Sequence, residues 1–122
     1  MKRGSCLCGA ITYASKGPWR PSVACHCGQC RKTSGHFWSA TQVPTDTLEV
    51  SRDTLTWFQS SPSARRGFCS ACGSSLFWQR DGEGTTSIGC GTLDGPTGLV
   101  TAKHIYLENK GDYYAIPESE RA

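Results

Sequence analysis

Cys25-His26-Cys27-Gly28-Gln29-Cys30 places three sulfurs within six residues. Outward from it lie two further clusters, Cys6-Leu7-Cys8 and Cys69-Ser70-Ala71-Cys72; of the eight cysteines only Cys90 stands alone. Spacings this tight suit a metal ion better than a disulfide. A thiolate tetrahedron needs its sulfurs about 2.3 Å from a Zn²⁺ ion, and C-x-x-C reaches that from a single turn. A disulfide across one or two residues is strained, because the Cα atoms cannot easily meet the required dihedral. Seven clustered thiols predict zinc, and the remaining question is how seven ligands divide.

Two of the clusters are pairs and together make one four-sulfur site: Cys6, Cys8, Cys69 and Cys72. A closed tetrahedral Cys₄ site is structural. It would pin the N-terminus to the middle of the chain and close a loop of about sixty residues, which constrains the unfolded ensemble. The middle cluster keeps three thiolates, Cys25, Cys27 and Cys30. Three protein ligands with a vacant fourth position is the arrangement of a catalytic zinc.

Local context agrees with this division. Residues two apart in extended chain project to the same side, so Cys6 and Cys8 can face one metal, as can Cys25 and Cys27. Gly73 follows Cys72 directly, the knuckle pattern in which backbone N–H groups of a turn point at the sulfurs. Cys30 returns from a turn after Gly28.

The 122 residues amount to one domain, 1–122, with an ordered core expected from about 4 to 117 and a polar tail, 118–122, expected to fray. The apolar share is low at 37%, with four Trp, four Tyr and four Phe, so the domain is expected to lean on metal for part of its stability. No apolar stretch follows Met1-Lys2-Arg3-Gly4, and no run approaches a membrane span. A reducing cytoplasmic location is expected, where clustered thiols stay reduced and take up metal.

The formal charge is +3 with every cysteine neutral. Seven thiolates and two Zn²⁺ ions add −7 + 4 = −3, leaving the loaded protein near neutral. The basic residues are scattered in the pairs Lys2-Arg3, Arg31-Lys32 and Arg65-Arg66, without the continuous stripe of a nucleic-acid binder. Neither a nucleic-acid nor a membrane partner is expected.

Helical periodicity is almost absent. Strand-like runs recur at residues 10–14, 37–43, 47–50, 55–58, 76–79, 86–90 and 102–107, each bounded by Gly, Pro, Ser or Asp. Short strands at this spacing predict a mostly β fold of antiparallel sheets. One helical turn is expected around Gln29 to Ser34.

Other partitions of ligands exist. Cys90 joining the middle cluster would close both sites and leave a purely structural protein. His26 lies between two ligands and points to the opposite side of an extended chain, which reads as a surface or supporting histidine. His36 and His104 are lone histidines in strand-like contexts, read as core or edge positions. A thioredoxin-like redox role for Cys69-Cys72 lacks the βαβ context it needs.

The motifs G-S-C-L-C-G-A (Gly4 to Ala10), C-H-C-G-Q-C-R-K (Cys25 to Lys32) and R-G-F-C-S-A-C-G-S-S-L-F (Arg66 to Phe77) resemble the glutathione-dependent formaldehyde-activating enzyme family, also called the centromere protein V family. G-T-L-D (Gly91 to Asp94) and A-K-H-I-Y (Ala102 to Tyr106) fit its C-terminal half. The likeness runs from Gly4 to about Pro117. It implies a β-tent of two pinched sheets. It also implies a structural zinc on Cys6, Cys8, Cys69 and Cys72 and a second zinc on Cys25, Cys27 and Cys30. The activity it implies is condensation of formaldehyde with glutathione to S-hydroxymethylglutathione, a carbon–sulfur lyase class. Tyr113-Tyr114 stand where such sequences often have a tryptophan.

Chemically, an electron-rich trithiolate zinc is a poor Lewis acid for a carbonyl but takes a fourth sulfur well. Such a site would deprotonate an incoming thiol and hold it beside an aldehyde. Arg31, Lys32 and Arg66 flank the cysteine motifs and could pair with the carboxylates of a glutathione-like substrate. The competing class is a zinc-stabilised binding module without turnover, with Trp19, Trp38, Trp57 and Trp78 lining a groove.

Overall fold

The computed structural model describes residues 1–120. Ten strands and one short helix follow in order: β1 (Lys2–Ser5), β2 (Thr12–Ser15), β3 (Ser22–Cys25), α1 (Gly28–Ser34), β4 (Trp38–Pro44), β5 (Leu48–Val50), β6 (Leu55–Ser61), β7 (Ala64–Cys69), β8 (Ser75–Arg80), β9 (Thr85–Gly89) and β10 (Thr101–Ile105). They form a three-stranded sheet, β1-β2-β5, and a seven-stranded sheet, β10-β3-β4-β9-β8-β7-β6. The fold is mostly β and its pairings are antiparallel, except that β10 runs parallel to β3.

Strands β1, β3 and β7 fall outside the runs expected from the sequence. Lys2-Arg3-Gly4-Ser5 and Ala64-Arg65-Arg66-Gly67 carry too little apolar character to announce themselves; their partners hold them. Strand β6 runs on through Ser61, so the chain reverses at Pro62-Ser63 rather than before it. Strand β2 starts at Thr12, because Cys6 to Gly9 form a turn, closed by the Gly9 N–H donating to the Cys6 carbonyl at 3.2 Å, in place of the extended segment expected for Cys6 and Cys8. Glu118–Glu120 form a single 3₁₀ turn, and residues 121 and 122 of the expected frayed tail lie outside the described residues.

The seven-stranded sheet has two working faces, because side chains alternate along a strand. Val43 of β4, Phe77 of β8 and Ile88 of β9 face the main core, where they meet Ile11, Tyr13, Leu76 and Leu93. Tyr13 of the smaller sheet packs edge-on to Phe77 at 5.5 Å between ring centroids, and its hydroxyl lies 2.7 Å from Thr92 Oγ1. That contact ties the two sheets together. The opposite face presents Ala40 and Gln42 of β4, Arg66 of β7, Trp78 of β8 and Ser87 of β9 to a cavity. This second face carries the three-cysteine cluster.

Candidate metal centres and the cavity beside them

Cys6, Cys8, Cys69 and Cys72 converge, with all four sulfurs within 4.8 Å of one another. The two pairs arrive from opposite ends of one build. Each is followed by a glycine in the left-handed region, Gly9 at φ +82° and Gly73 at φ +81°, where a Cβ is disfavoured. The Gly73 N–H donates to the Cys69 carbonyl at 2.7 Å and closes the knuckle. The Leu7 N–H donates to Ser74 Oγ at 2.9 Å, which locks one knuckle to the other. The Ser74 hydroxyl is then free to donate to Cys72 Sγ, 3.2 Å away.

The donors around these sulfurs are those of a thiolate site. The Ile11 N–H reaches Cys6 Sγ at 3.3 Å, and the Thr54 hydroxyl lies 3.2 Å from Cys69 Sγ. The Ser74 hydroxyl, with the Ser74 and Cys8 backbone N–H groups, pulls the Cys72 thiol down to about 5. The Thr54 hydroxyl, with the N–H groups of Cys72 and Ala71, lowers Cys69. At Cys8 the Ala10 N–H also lowers, but Cys6, burial, Cys69 and Cys72 together outweigh it and raise the thiol to about 11. Without a cation, then, Cys8 is pushed up while Cys69 and Cys72 are held low. A divalent ion removes that conflict, and ideal Zn–S geometry asks for sulfurs about 3.8 Å apart. Cys6 to Cys8 is 3.6 Å and Cys8 to Cys69 is 3.8 Å.

Cys25, Cys27 and Cys30 form the second group, also within 4.8 Å of one another. Strand β3 ends at Cys25. Cys27 caps helix α1, its sulfur accepting from the Cys30 N–H at 3.4 Å. Cys30 lies one turn into the helix and is 2% exposed. Hydrogen bonding from Cys30 holds the Cys25 thiol low. Cys30 itself is pushed up by that shared proton, by burial and by the Cys25 charge, with Arg66 opposing. The pair shares one proton that a metal ion would displace.

Cys90 belongs to neither group; it begins a 3₁₀ turn after β9. His26 is not on the surface: it is 0% exposed and faces away from the sulfurs. Its Nδ1 lies 2.6 Å from the Tyr114 hydroxyl and its Nε2 lies 2.8 Å from His104 Nδ1. His36 packs on Phe37 and Tyr114 in the same aromatic cluster.

The second group opens onto a cavity of about 680 Å³. Trp38 and Trp78 give it apolar walls, and Arg20, Arg66 and Arg80 give it positive charge, against Glu83. Tyr106 stands at its edge with φ 58°, the one non-glycine positive φ among the described residues. Arg66 is 7% exposed; its Nη2 donates to Cys30 Sγ at 3.6 Å and its Nε to Gln29 Oε1 at 3.2 Å. Arg31 and Lys32 sit in the last turn of α1 and do not line the cavity. Arg20 and Arg80, which do, carry no local sequence signal; only the pairing of β4, β7, β8 and β9 brings them there. A separate recess of about 650 Å³, over the smaller sheet, contains no cysteine.

Fold and site define a mostly β protein built on two thiolate clusters able to hold metal, one with four sulfurs and one with three. Residues 1–109 match the family model described as glutathione-dependent formaldehyde-activating enzyme, and the chain belongs to that family. It is 32% identical to a Halomonas elongata protein named "Putative glutathione-dependent formaldehyde-activating enzyme", over 99% of this chain and 84% of that one. In fold it is similar to the crystal structure of a Rhodobacter sphaeroides protein, with a TM-score of 0.68 and 24% identity, covering 81% of this chain and 97% of that one. Among the described residues no helix is long and apolar enough to cross a membrane.

Proposed function

We propose that the chain is a zinc-dependent enzyme of the carbon–sulfur lyase type. It would activate a glutathione-like thiol for addition to, or release from, a small aldehyde such as formaldehyde. The observation that carries this reading is the contrast between the two clusters. One has four sulfurs and is complete; the other has three and opens on a cavity of about 680 Å³. In this reading Cys6, Cys8, Cys69 and Cys72 hold a structural Zn²⁺, and Cys25, Cys27 and Cys30 hold a reactive one.

A zinc ion bound there supplies the positive charge that keeps a substrate sulfur deprotonated near neutral pH. The rest falls to the chain. Trp38 and Trp78 exclude water around the sulfur. Arg20 and Arg80 offer guanidinium groups for the carboxylates of a peptide-like thiol. Arg66 adds a third, closer to the cysteines. Arg31 and Lys32, placed on the far turn of α1, are weaker candidates for that role.

In the addition, the thiol gives its proton to solvent and the sulfur lone pair forms the C–S bond. The C=O π pair moves to oxygen, which regains a proton. The reverse sequence releases thiol and aldehyde. No histidine lines the cavity among the described residues, and Glu83 is its one carboxylate, so proton exchange with solvent water suffices for this scheme.

The test is exchange spectroscopy with ¹³C-formaldehyde and glutathione. The wild type should accelerate interconversion of free and S-hydroxymethyl carbon, and Cys27→Ser should not. Equal exchange with and without protein, at two metals per chain, would leave the binding-module reading standing instead.

A further inference from the structure

We infer that Arg66 is a positioning residue: its buried guanidinium offsets the charge of the three-thiolate group and makes that site a receptor for one further anionic ligand. The inference rests on the reading above, in which that ligand is a thiolate.

Arg66 is a cation in an unusual place. It is 7% exposed, and among the described residues no carboxylate lies within ion-pair range of it; the ion pair found there joins His104 and Glu120. Its Nε is met by a neutral amide, Gln29. Its Nη1 is sealed from solvent and has no hydrogen-bond partner. A buried guanidinium left this way is costly unless an anion stands beside it. The anion at hand is the sulfur cluster, reached through the contact of Nη2 with Cys30 Sγ at 3.6 Å. The Trp38 ring lies beside the pair, its centroid 5.8 Å from the guanidinium carbon, and both Arg66 and Cys30 are buried. Low local polarizability there strengthens the attraction.

The charge count differs between the two clusters. Three thiolates and a divalent ion sum to −3 + 2 = −1, and Arg66 brings the group to zero. Four thiolates and a divalent ion sum to −4 + 2 = −2. The sulfurs of the four-cysteine group are met by neutral donors, namely the hydroxyls of Thr54 and Ser74 and the Ile11 N–H. A closed site has no need of a counter-charge. An open site of net −1 would repel the thiolate it is meant to take; an open site of net zero admits it. Arg20, Arg80 and Glu83 also line the cavity, but the contact with a sulfur belongs to Arg66.

The experiment uses protein loaded with Co²⁺ in place of zinc, whose visible bands report the ligands of each ion. Two probes are titrated: 2-mercaptoethanol, which binds as an anion, and imidazole, which binds neutral. Arg66→Gln should weaken the thiol roughly tenfold or more while leaving imidazole within about twofold. Arg66→Lys, which keeps the charge, should recover most of the thiol affinity. Unchanged thiol affinity in R66Q overturns the inference, and so does an equal loss for both probes, which marks a packing role. A wild type whose bands respond to neither probe sinks the thiol reading itself. Should R66Q not fold, azide and imidazole on the wild type decide: a neutral site takes the anion in preference, and exclusion of azide with binding of imidazole overturns the charge argument.

Discussion

His26 Nε2 lies 2.8 Å from His104 Nδ1, behind the three-cysteine cluster and across 78 residues of chain. On its other side His26 Nδ1 meets the Tyr114 hydroxyl at 2.6 Å. Burial, then the neighbouring charges of His104, His36 and Lys110, lower the His26 pKa and keep the ring neutral. A neutral ring carries one donor and one acceptor. If the tyrosine O–H donates to Nδ1, Nε2–H donates to His104 Nδ1. The proton on His104 Nε2 then faces Glu120 Oε1, 3.5 Å away, without hydrogen-bond geometry. The chain of donors fixes the ring that sits between two sulfur ligands. Tyr114→Phe removes its first member and leaves a buried ring nitrogen unpaired. We expect a loss of about 1–2 kcal/mol in urea unfolding with both metals retained. An unchanged midpoint would show that the tyrosine contact contributes nothing.

The two clusters should respond differently to loss of a thiol. Cys27→Ser is expected to lower the metal content from two ions per chain to one while the far-UV spectrum stays native. Cys72→Ser removes a ligand from the group that joins the N-terminus to the β7–β8 turn, and we expect loss of cooperative folding or a marked fall in melting temperature. Cys90→Ser should leave two ions bound, since Cys90 lies in neither group. Elemental analysis of the three proteins checks all of this. A C90S protein with one ion would mean that the fourth corner of the second site is filled by the chain itself.

Much of this site is legible in the sequence because metal-ligand spacing is local. C-x-x-C in a knuckle sets its own geometry before any tertiary contact forms, and C-x-C at Cys6-Cys8 does so in a turn rather than in the extended chain expected. The strands rich in aromatic and β-branched residues, such as β4 and β8, are equally visible. What escapes is long-range. Position beside the cysteine motif marks Arg66 as a candidate substrate contact but does not show its burial, which comes from alternation along β7 sending Arg65 and Arg66 to opposite faces. Arg65 stacks on Trp57 at 3.9 Å and bonds Gln79, exposed, while Arg66 is buried against Cys30. No local pattern tells which of two adjacent arginines turns inward when the strand itself is disguised. The meeting of His26, His104 and Tyr114 depends on β10 lying parallel to β3, the pairing that an antiparallel expectation omits.

Gly89 ends β9 under the indole of Trp38. A Cβ there would stand 3.0 Å from Trp38 Nε1 and 3.1 Å from the Ser75 carbonyl oxygen. Neither neighbour yields easily, one being backbone of a paired strand and the other a wall of the cavity. Gly89→Ala is expected to cost about 1–3 kcal/mol and to shift Trp38 fluorescence. Wild-type stability with unaltered emission would mean that the strand end relaxes freely.

Tyr13 offers the clearest pH signature away from the metal ligands. Its ring is 3% exposed, and burial raises its pKa above the ordinary tyrosine value, against the lowering effect of Thr92. The folded protein therefore holds this proton more tightly than the unfolded chain, whose tyrosines ionise near about 10. The contribution is therefore complete below about pH 10 and is lost as pH rises beyond it, because the unfolded state can release a proton that the fold retains. Melting temperature should fall through the alkaline range in the wild type. Tyr13→Phe gives up the 2.7 Å contact with Thr92, worth about 1 kcal/mol, so it should start lower. Its alkaline decline should be shallower, and the two curves should converge between pH 9 and about 11.5. Parallel curves across that range would show that Tyr13 ionises no differently in the fold than in the open chain.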